Sequence, residues 1–242
     1  TRSEIKKLIR SGRVMVDGET VKKPELKIDE TTQKVSLDGK QIGYAKKEYY
    51  MLHKPAGVIS ATKDDRDKTV LDLITDKKRN DLFPVGRLDK DTEGLLILTN
   101  DGELAHRLLS PKFHVEKTYL VQLDTAVSGE DVLHMKEGLD IGEKQLTKPA
   151  KMEILSEREC LLTITEGKFH QVKRMFHKLG KEVVYLKRVA MAGIKLEDSL
   201  EKGQWRQLTE KEIEKLKEQA DGKKEILCSE EGKNTGNLSD VE

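Results

Sequence analysis

The sequence predicts an α+β protein with a largely antiparallel, mixed sheet. Three observations carry that prediction. The run Leu95-Leu96-Ile97-Leu98 is short, apolar and bounded by turn residues, which reads as a buried strand. Asp17-Gly18 and Asp38-Gly39 each follow an apolar-flanked triplet, in a dipeptide that favours tight hairpins and therefore antiparallel pairing. Val172, Met175, Phe176 and Leu179 recur at helical spacing before Gly180, so amphipathic helix accompanies the strands.

Composition narrows the class. A chain of 242 residues is long enough to bury a real core. Aromatic residues make up 4% and charged residues 37%, so that core is mostly aliphatic and the surface heavily charged. No run of eighteen apolar residues exists and the start lacks the apolar core of a signal peptide, so a cytoplasmic protein without membrane association is expected. Cys160 and Cys228 have no metal or disulfide spacing and read as free thiols in a reducing compartment. The six histidines lack companion ligands at metal-binding spacing. No Walker-type or dinucleotide glycine loop occurs, which argues against a phosphotransferase or dehydrogenase. A net charge of +1 is low for a nucleic-acid binder. Its distribution matters more: 168–188 carries Lys168, Lys173, Arg174 and four further basic residues against the one acid Glu182.

In chain order, Ser3 is the expected N-cap of a helix whose apolar face is Ile5, Leu8 and Ile9 and whose stop is Gly12. Lys6, Lys7, Arg10 and Arg13 are its basic positions. Strands follow at 14–16, 19–21 and 35–37, then a polar linker at 43–48. A strand at 49–52 stops at the turn Lys54-Pro55-Ala56-Gly57. A charged loop over 64–80 contains a short helix at 70–74. After the strand at 95–98, a helix at 103–109 is ended by Ser110-Pro111, and 115–123 is a strand with Tyr119 in its middle. Residues 128–138 form a helix, 139–149 a loop-rich hairpin, 151–155 and 159–164 strands, 166–180 a helix and 183–186 a strand. Trp205-Arg206-Gln207-Leu208 and a helix at 210–216 close the fold. From about Lys217 the composition predicts a disordered tail.

Chemistry concentrates in 85–102, VGRLDKDTEGLLILTNDG. Asp89 stands just upstream of a rigid strand, in the kind of loop that displays reactive side chains. Local chemistry alone leaves two readings open, an Asx-turn to the nearby backbone or a functional acid. Gly86-Arg87-Leu88-Asp89, followed in register by Thr92, Gly94, Leu95, Leu96, Thr99, Asp101 and Gly102, closely resembles the second motif of rRNA pseudouridine synthases of the RsuA type. The stretch 49–61, YYMLHKPAGVISA, resembles the first motif of that family, and GKFHQVKRM at 167–175 the third. The start, 2–18, resembles the later half of an S4-like RNA-binding domain whose earlier helix would precede Thr1.

The resemblance implies a pseudouridine synthase fold around a central RNA-binding cleft. Asp89 would be the catalytic aspartate and Lys173 the basic partner of its carboxylate. Tyr119, in Lys117-Thr118-Tyr119, would stack on the target base, and Leu186 would pack against it. Arg87 would occupy the space of the flipped base; a salt bridge from Arg87 to Asp89 is the competing reading. His170 and Gln171 would lie close by, and Lys54 and Pro55 would support the catalytic loop. Lys6, Lys7, Arg10, Arg13, Lys168 and Arg174 would contact RNA. Ala190 and Ala192 depart from the arginine or serine and the glycine often found there. The expected domains are a partial S4-like module at 1–44, a catalytic domain at 45–216 and a tail at 217–242. Isomerising uridine involves no redox change, so no cofactor and no metal are expected, nor is an obligate protein partner. Phrases at 114–121 and 143–150 resemble the small-subunit members, which implies 16S rRNA, at uridine 516, or a small-subunit assembly intermediate as substrate. The alternatives are a 23S rRNA enzyme of the same family, a non-catalytic ribosome-assembly factor, or an RNA-acting hydrolase.

Overall fold

The computed structural model describes residues 2–29, 32–42, 47–75 and 79–222. It divides into two compact units, Thr1–Lys47 and Glu48–Glu242. In the first unit, helix α1 (Arg2–Arg10) precedes strands β1 (Val14–Val16), β2 (Glu19–Thr20), β3 (Val35–Leu37) and β4 (Lys40–Ile42). The strands form an antiparallel sheet in the order β2-β1-β3-β4. Asp17 and Asp38 adopt φ of 49° and 50°, each followed by a glycine at positive φ, the backbone that two-residue hairpins need. α1 is already helical at Arg2, so Ser3 lies inside it rather than capping it. Ile5, Leu8 and Ile9 face an apolar groove of about 290 Å³ shared with the sheet. Lys6, Lys7 and Arg10 are exposed. Arg13 is forked onto Asp38 by two hydrogen bonds, the Nε–Oδ1 one at 2.8 Å.

The second unit carries β5 (Tyr49–Lys54), a 3₁₀ turn (Val70–Leu73), β6 (Phe83–Pro84), β7 (Glu93–Thr99), α2 (Gly102–Leu109), a 3₁₀ turn (Pro111–Phe113), β8 (Lys117–Leu123) and α3 (Gly129–Glu137). It continues with β9 (Lys151–Ser156), β10 (Glu159–Ile164), α4 (Gln171–Lys178), β11 (Val183–Met191), β12 (Ile194–Lys195), β13 (Trp205–Gln207) and α5 (Glu210–Ala220). Its sheet runs β13-β5-β7-β11-β8-β10-β9, with β6 on β7 and β12 on β11. Only the β7–β11 pair is parallel among the described residues.

The apolar run that reads as a buried strand is buried on both faces. Leu96 and Leu98 enter one core with Tyr119, Leu186 and the apolar face of α4. Leu95 and Ile97 enter the other, with α2 and α5. The period of two thus hands one strand to both layers of the molecule.

Several expectations shift at element ends. α4 begins at Gln171, so 166–170 is loop: His170 takes φ of 48°, and the Gln171 side chain accepts from the Lys168 amide at 2.9 Å. α5 continues past residue 216, where the tail was expected, through Ala220, because Leu216 and Ala220 lie one turn apart and both bury in the second core. The expectation of disorder over 223–242 lies outside the described residues, as do 43–46 of the expected linker. The segment 139–149 forms no strand; the Thr147 amide and hydroxyl bond the Leu139 carbonyl and amide at 2.9 Å each. Ala192, where the resembled family often has glycine, holds φ of 52° in the β11–β12 turn, at a strain of roughly 1 kcal/mol.

Gly94 fixes the approach of β7 to β11. Its φ is 108°, and a Cβ built there would stand 2.2 Å from the Arg188 carbonyl oxygen and 2.6 Å from the Arg188 nitrogen. Gly94→Ala is therefore expected to force the parallel pair apart and to cost about 3 kcal/mol of stability, read as a lower urea midpoint; an unchanged midpoint would contradict this packing.

Candidate active site

The loop joining β6 to β7 is tied down from below. Leu88 is buried, and Ser60 Oγ both accepts from its amide at 3.0 Å and donates to its carbonyl at 2.9 Å. Lys54, at the end of β5, is fully buried. Its ammonium donates to the carbonyls of Pro55 (3.0 Å), Asp89 (3.0 Å), Lys90 (3.3 Å) and Thr92 (2.8 Å). The Gly57 amide adds a bond to the Lys90 carbonyl at 2.7 Å, and the Thr92 amide closes the turn onto the Asp89 carbonyl at 3.1 Å. With its main chain held underneath, Asp89 presents its carboxylate upward, with 28% of the side chain exposed. Burial pushes the Lys54 ammonium down to about 8, opposed by Asp91, Asp89 and Glu93.

A histidine and a lysine at the start of α4 flank Asp89. His170 Nε2 lies 3.5 Å from Oδ1, and Lys173 Nζ 3.6 Å from Oδ2. The tighter partner of Lys173 is Asp91, whose oxygens it reaches at 2.6 and 2.7 Å. That hydrogen bond, ahead of the Coulombic attraction, holds the Asp91 carboxyl below its usual range. The expected Lys173 pairing is thus shared: the tight turn at 89–92 carries a second carboxylate toward α4, and Asp91, the more exposed acid, takes the shorter contact.

Asp89, Arg87, Tyr119, Leu186, His170 and Lys173 line one pocket, which shares Arg87, Asp89, Tyr119 and His170 with a cleft of about 850 Å³. Tyr119 and Leu186 are 8% and 6% exposed, on adjacent strands β8 and β11. Arg87 is exposed, lines both spaces and is not ion-paired to Asp89, so the competing reading of that residue is not what the fold adopts. Phe169 stacks on His170 with ring centroids 3.8 Å apart and is 74% exposed.

Lys168 and Arg174 do structural duty as well. Lys168 Nζ donates to the carbonyls of Gln145 and Leu146 at 3.1 and 3.3 Å. Arg174 bonds Glu143 at 2.9 Å and the carbonyls of Phe169 (3.1 Å) and Ile141. Together they pin the loop 139–149 beside the mouth of the site. Sequence reasoning missed Asp91, although it lies in the same motif, and Ser60, whose contact with Leu88 has no local signal. Cys160 is a buried free thiol, pushed up to about 12 by burial. Among the described residues no cluster of three or more His, Cys, Asp or Glu gathers, and no helix is long and apolar enough to cross a membrane.

The chain is similar to known proteins over most of its length. Residues 48–178 match the RNA pseudouridylate synthase family and residues 1–41 the S4 domain family. The chain is 48% identical over 223 residues to an uncharacterized RNA pseudouridine synthase of Bacillus subtilis, covering 90% of this chain and 93% of the relative. It is 43% identical over 214 residues to the ribosomal small subunit pseudouridine synthase A of Vibrio cholerae, covering 88% and 92%. A solved pseudouridylate synthase superposes with a TM-score of 0.69 at 42% identity, covering 89% of this chain and 94% of the other.

Lys54 generates a prediction with two readouts. Lys54→Met frees four carbonyls from their common donor, and the displaced loop is expected to lower kcat about 10²-fold with KM little changed. A lysine whose folded pKa sits near 8 against 10.5 unfolded penalises the fold in full below pH 8, and the penalty fades as pH rises to 10.5, because the unfolded chain binds more protons across that window. The wild type should gain on the order of 2 kcal/mol between pH 8 and 10.5 that Lys54→Met does not; urea midpoints across that range check the difference.

Proposed function

The chain belongs to the RNA pseudouridylate synthase family, with an S4 domain ahead of its catalytic region, and isomerises uridine in RNA to pseudouridine; from that premise we propose that Asp89 is the catalytic carboxylate, that the substrate is 16S rRNA and that the target is uridine 516. The observation that carries the assignment of Asp89 is its setting: a carboxylate on a loop pinned from below, flanked by a lysine and a histidine, at the floor of a cleft lined by a buried tyrosine and leucine.

The reaction breaks the bond between N1 and C1′, turns the uracil, joins C1′ to C5, and moves the C5 proton so that N1 ends protonated. Atoms and electrons balance within the nucleotide, so in this reading no cofactor takes part. Asp89 acts at the ribose, as nucleophile at C1′ or by abstracting a ribose proton. Lys173 offsets its charge, His170 lies beside it, and Asp91 holds Lys173 in reach. Tyr119 and Leu186 enclose the uracil by stacking and packing. Taking the base out of its stack costs a few kcal/mol, least in loop RNA, and Arg87 fills the space the base leaves. Lys6, Lys7, Arg10 and Arg13 of the first unit, Lys168 at the cleft and Arg174 of α4 supply backbone contacts. Residues 1–44 are the RNA-gripping module and 45–216 the catalytic domain, at work on small-subunit rRNA in the cytoplasm. The small-subunit assignment is supported by the similarity to the Vibrio cholerae enzyme.

Mapping pseudouridine on unmodified 16S and 23S rRNA incubated with the protein tests this. One new pseudouridine at position 516 of 16S rRNA is expected. Asp89→Asn should lower its formation by roughly 10⁴-fold or more, and Lys173→Met by about 10²-fold. Modification of 23S rRNA alone would overturn the substrate, and an active Asp89→Asn protein would overturn the catalytic residue.

A further inference from the structure

Beyond the residues already placed in the site, the sheet turns two more cations into the cleft. Arg188 stands opposite Tyr119 across the antiparallel β8–β11 pair, so the two side chains share a face. Lys117 lies two residues from Tyr119 along β8, on that face too. Both line the cleft that also holds Arg87 and Asp89, and both are buried, at 2% and 8% exposure.

Neither has an anionic partner among the described residues. Arg188 Nε donates to the Leu95 carbonyl at 2.8 Å, while its Nη2 has no hydrogen-bond partner there. Lys117 Nζ donates to the Val115 carbonyl at 2.9 Å. The nearby acid Glu166 spends its Oε1 on the Lys148 amide and on Gln171 Nε2. Burial pushes the Lys117 ammonium down to about 8, and repulsion from Arg188 is the next cause. Two like charges held side by side, with only the attraction of Glu166 opposing their repulsion and neither in an ion pair with it, cost folding free energy that apolar residues of similar size would not. Such a pair is accounted for by an anion that arrives with the substrate.

We propose that Arg188 and Lys117 together bind one backbone phosphate of the RNA, adjoining the nucleotide whose base lies against Tyr119. This rests on the reading of the cleft as the uridine site and adds to it a specific phosphodiester contact. A guanidinium with a free edge suits phosphate oxygens, and the ammonium adds a point charge. The two-residue step from Tyr119 to Lys117 spans about 7 Å along the strand, which sets Lys117 a sugar's width from the base, with Arg188 directly across from Tyr119.

A double-mutant cycle across protein and RNA tests it. A 16S rRNA fragment spanning uridine 516 is made with single uncharged methylphosphonate linkages, on 2′-O-methyl nucleotides, at each position flanking that uridine. Its binding is measured to Asp89→Asn protein, alone or with Arg188→Met or Lys117→Met. One linkage is expected to weaken binding to the parent about tenfold and to cause no further loss in either variant, whose salt dependence should be shallower by about one phosphate contact. Equal losses in parent and variants at every linkage would overturn the phosphate site, as would variants that bind the unmodified RNA as tightly as the parent. Lys117→Met keeps the test decisive if Arg188→Met does not fold, since either change removes charge from the same linkage. Wild-type protein is assayed for conversion of the unmodified fragment alongside. If none is converted, the uridine-site reading has failed on its own, and the same proteins are compared on oligouridylate: weaker binding by the variants supports the phosphate site, and equal binding overturns it.

Discussion

One buried ammonium sets the geometry of the site. Lys54 gathers the carbonyls of Pro55, Asp89, Lys90 and Thr92 on a single nitrogen, so the turn after β5 and the loop before β7 are fastened at one point. A charge this deep is tolerable only because every donor direction is used. It also needs room, and the residue paired with Lys54 across β5 and β7 is Gly94. The same glycine lets the backbone of β11 close on β7. Asp89 on its loop, Lys54 beneath it and Arg188 on the neighbouring strand are therefore consequences of one close packing of three strands.

The second constraint is electrostatic. The chain is nearly neutral, at +1, yet its cleft is lined by Arg87, Lys90, Lys117, Lys168 and Arg188, with Asp89 and Glu166 as its acids. Acidic residues elsewhere balance these cations without entering the cleft. A surface of this kind draws in a polyanion while the fold as a whole avoids the self-repulsion of a strongly basic protein.

Much of the fold was legible because burial imposes periods on the chain. The run at 95–98 announced a buried strand, and Val172, Met175, Phe176 and Leu179 announced a helix with one apolar face. The boundaries were less legible. The start of α4 depends on the left-handed backbone of His170 and on Gln171 reaching back to the Lys168 amide, and α5 continues because Ala220 finds a place in the core one turn beyond Leu216. In the site, the motif around Asp89 pointed to a loop that the fold brings, with Tyr119, Lys173 and Leu186, to one pocket. Contacts between distant elements had no local trace: Ser60 bridging Leu88, or Arg188 meeting Tyr119 across a strand pair. Asp91 was hidden for another reason. As one of several acids in a charged loop it looked ordinary until the turn carried it to Lys173.

The central claim is positional: Asp89 lies at the ribose of a uridine whose base is enclosed by Tyr119 and Leu186. The most direct measurement is a crystal structure of the Asp89→Asn protein with the 16S rRNA fragment bound. The account predicts an unstacked uracil between Tyr119 and Leu186, with the side chain of residue 89 in contact with the sugar. A fragment bound with its uridine still stacked in the RNA, or with the ribose turned away from residue 89, would contradict it.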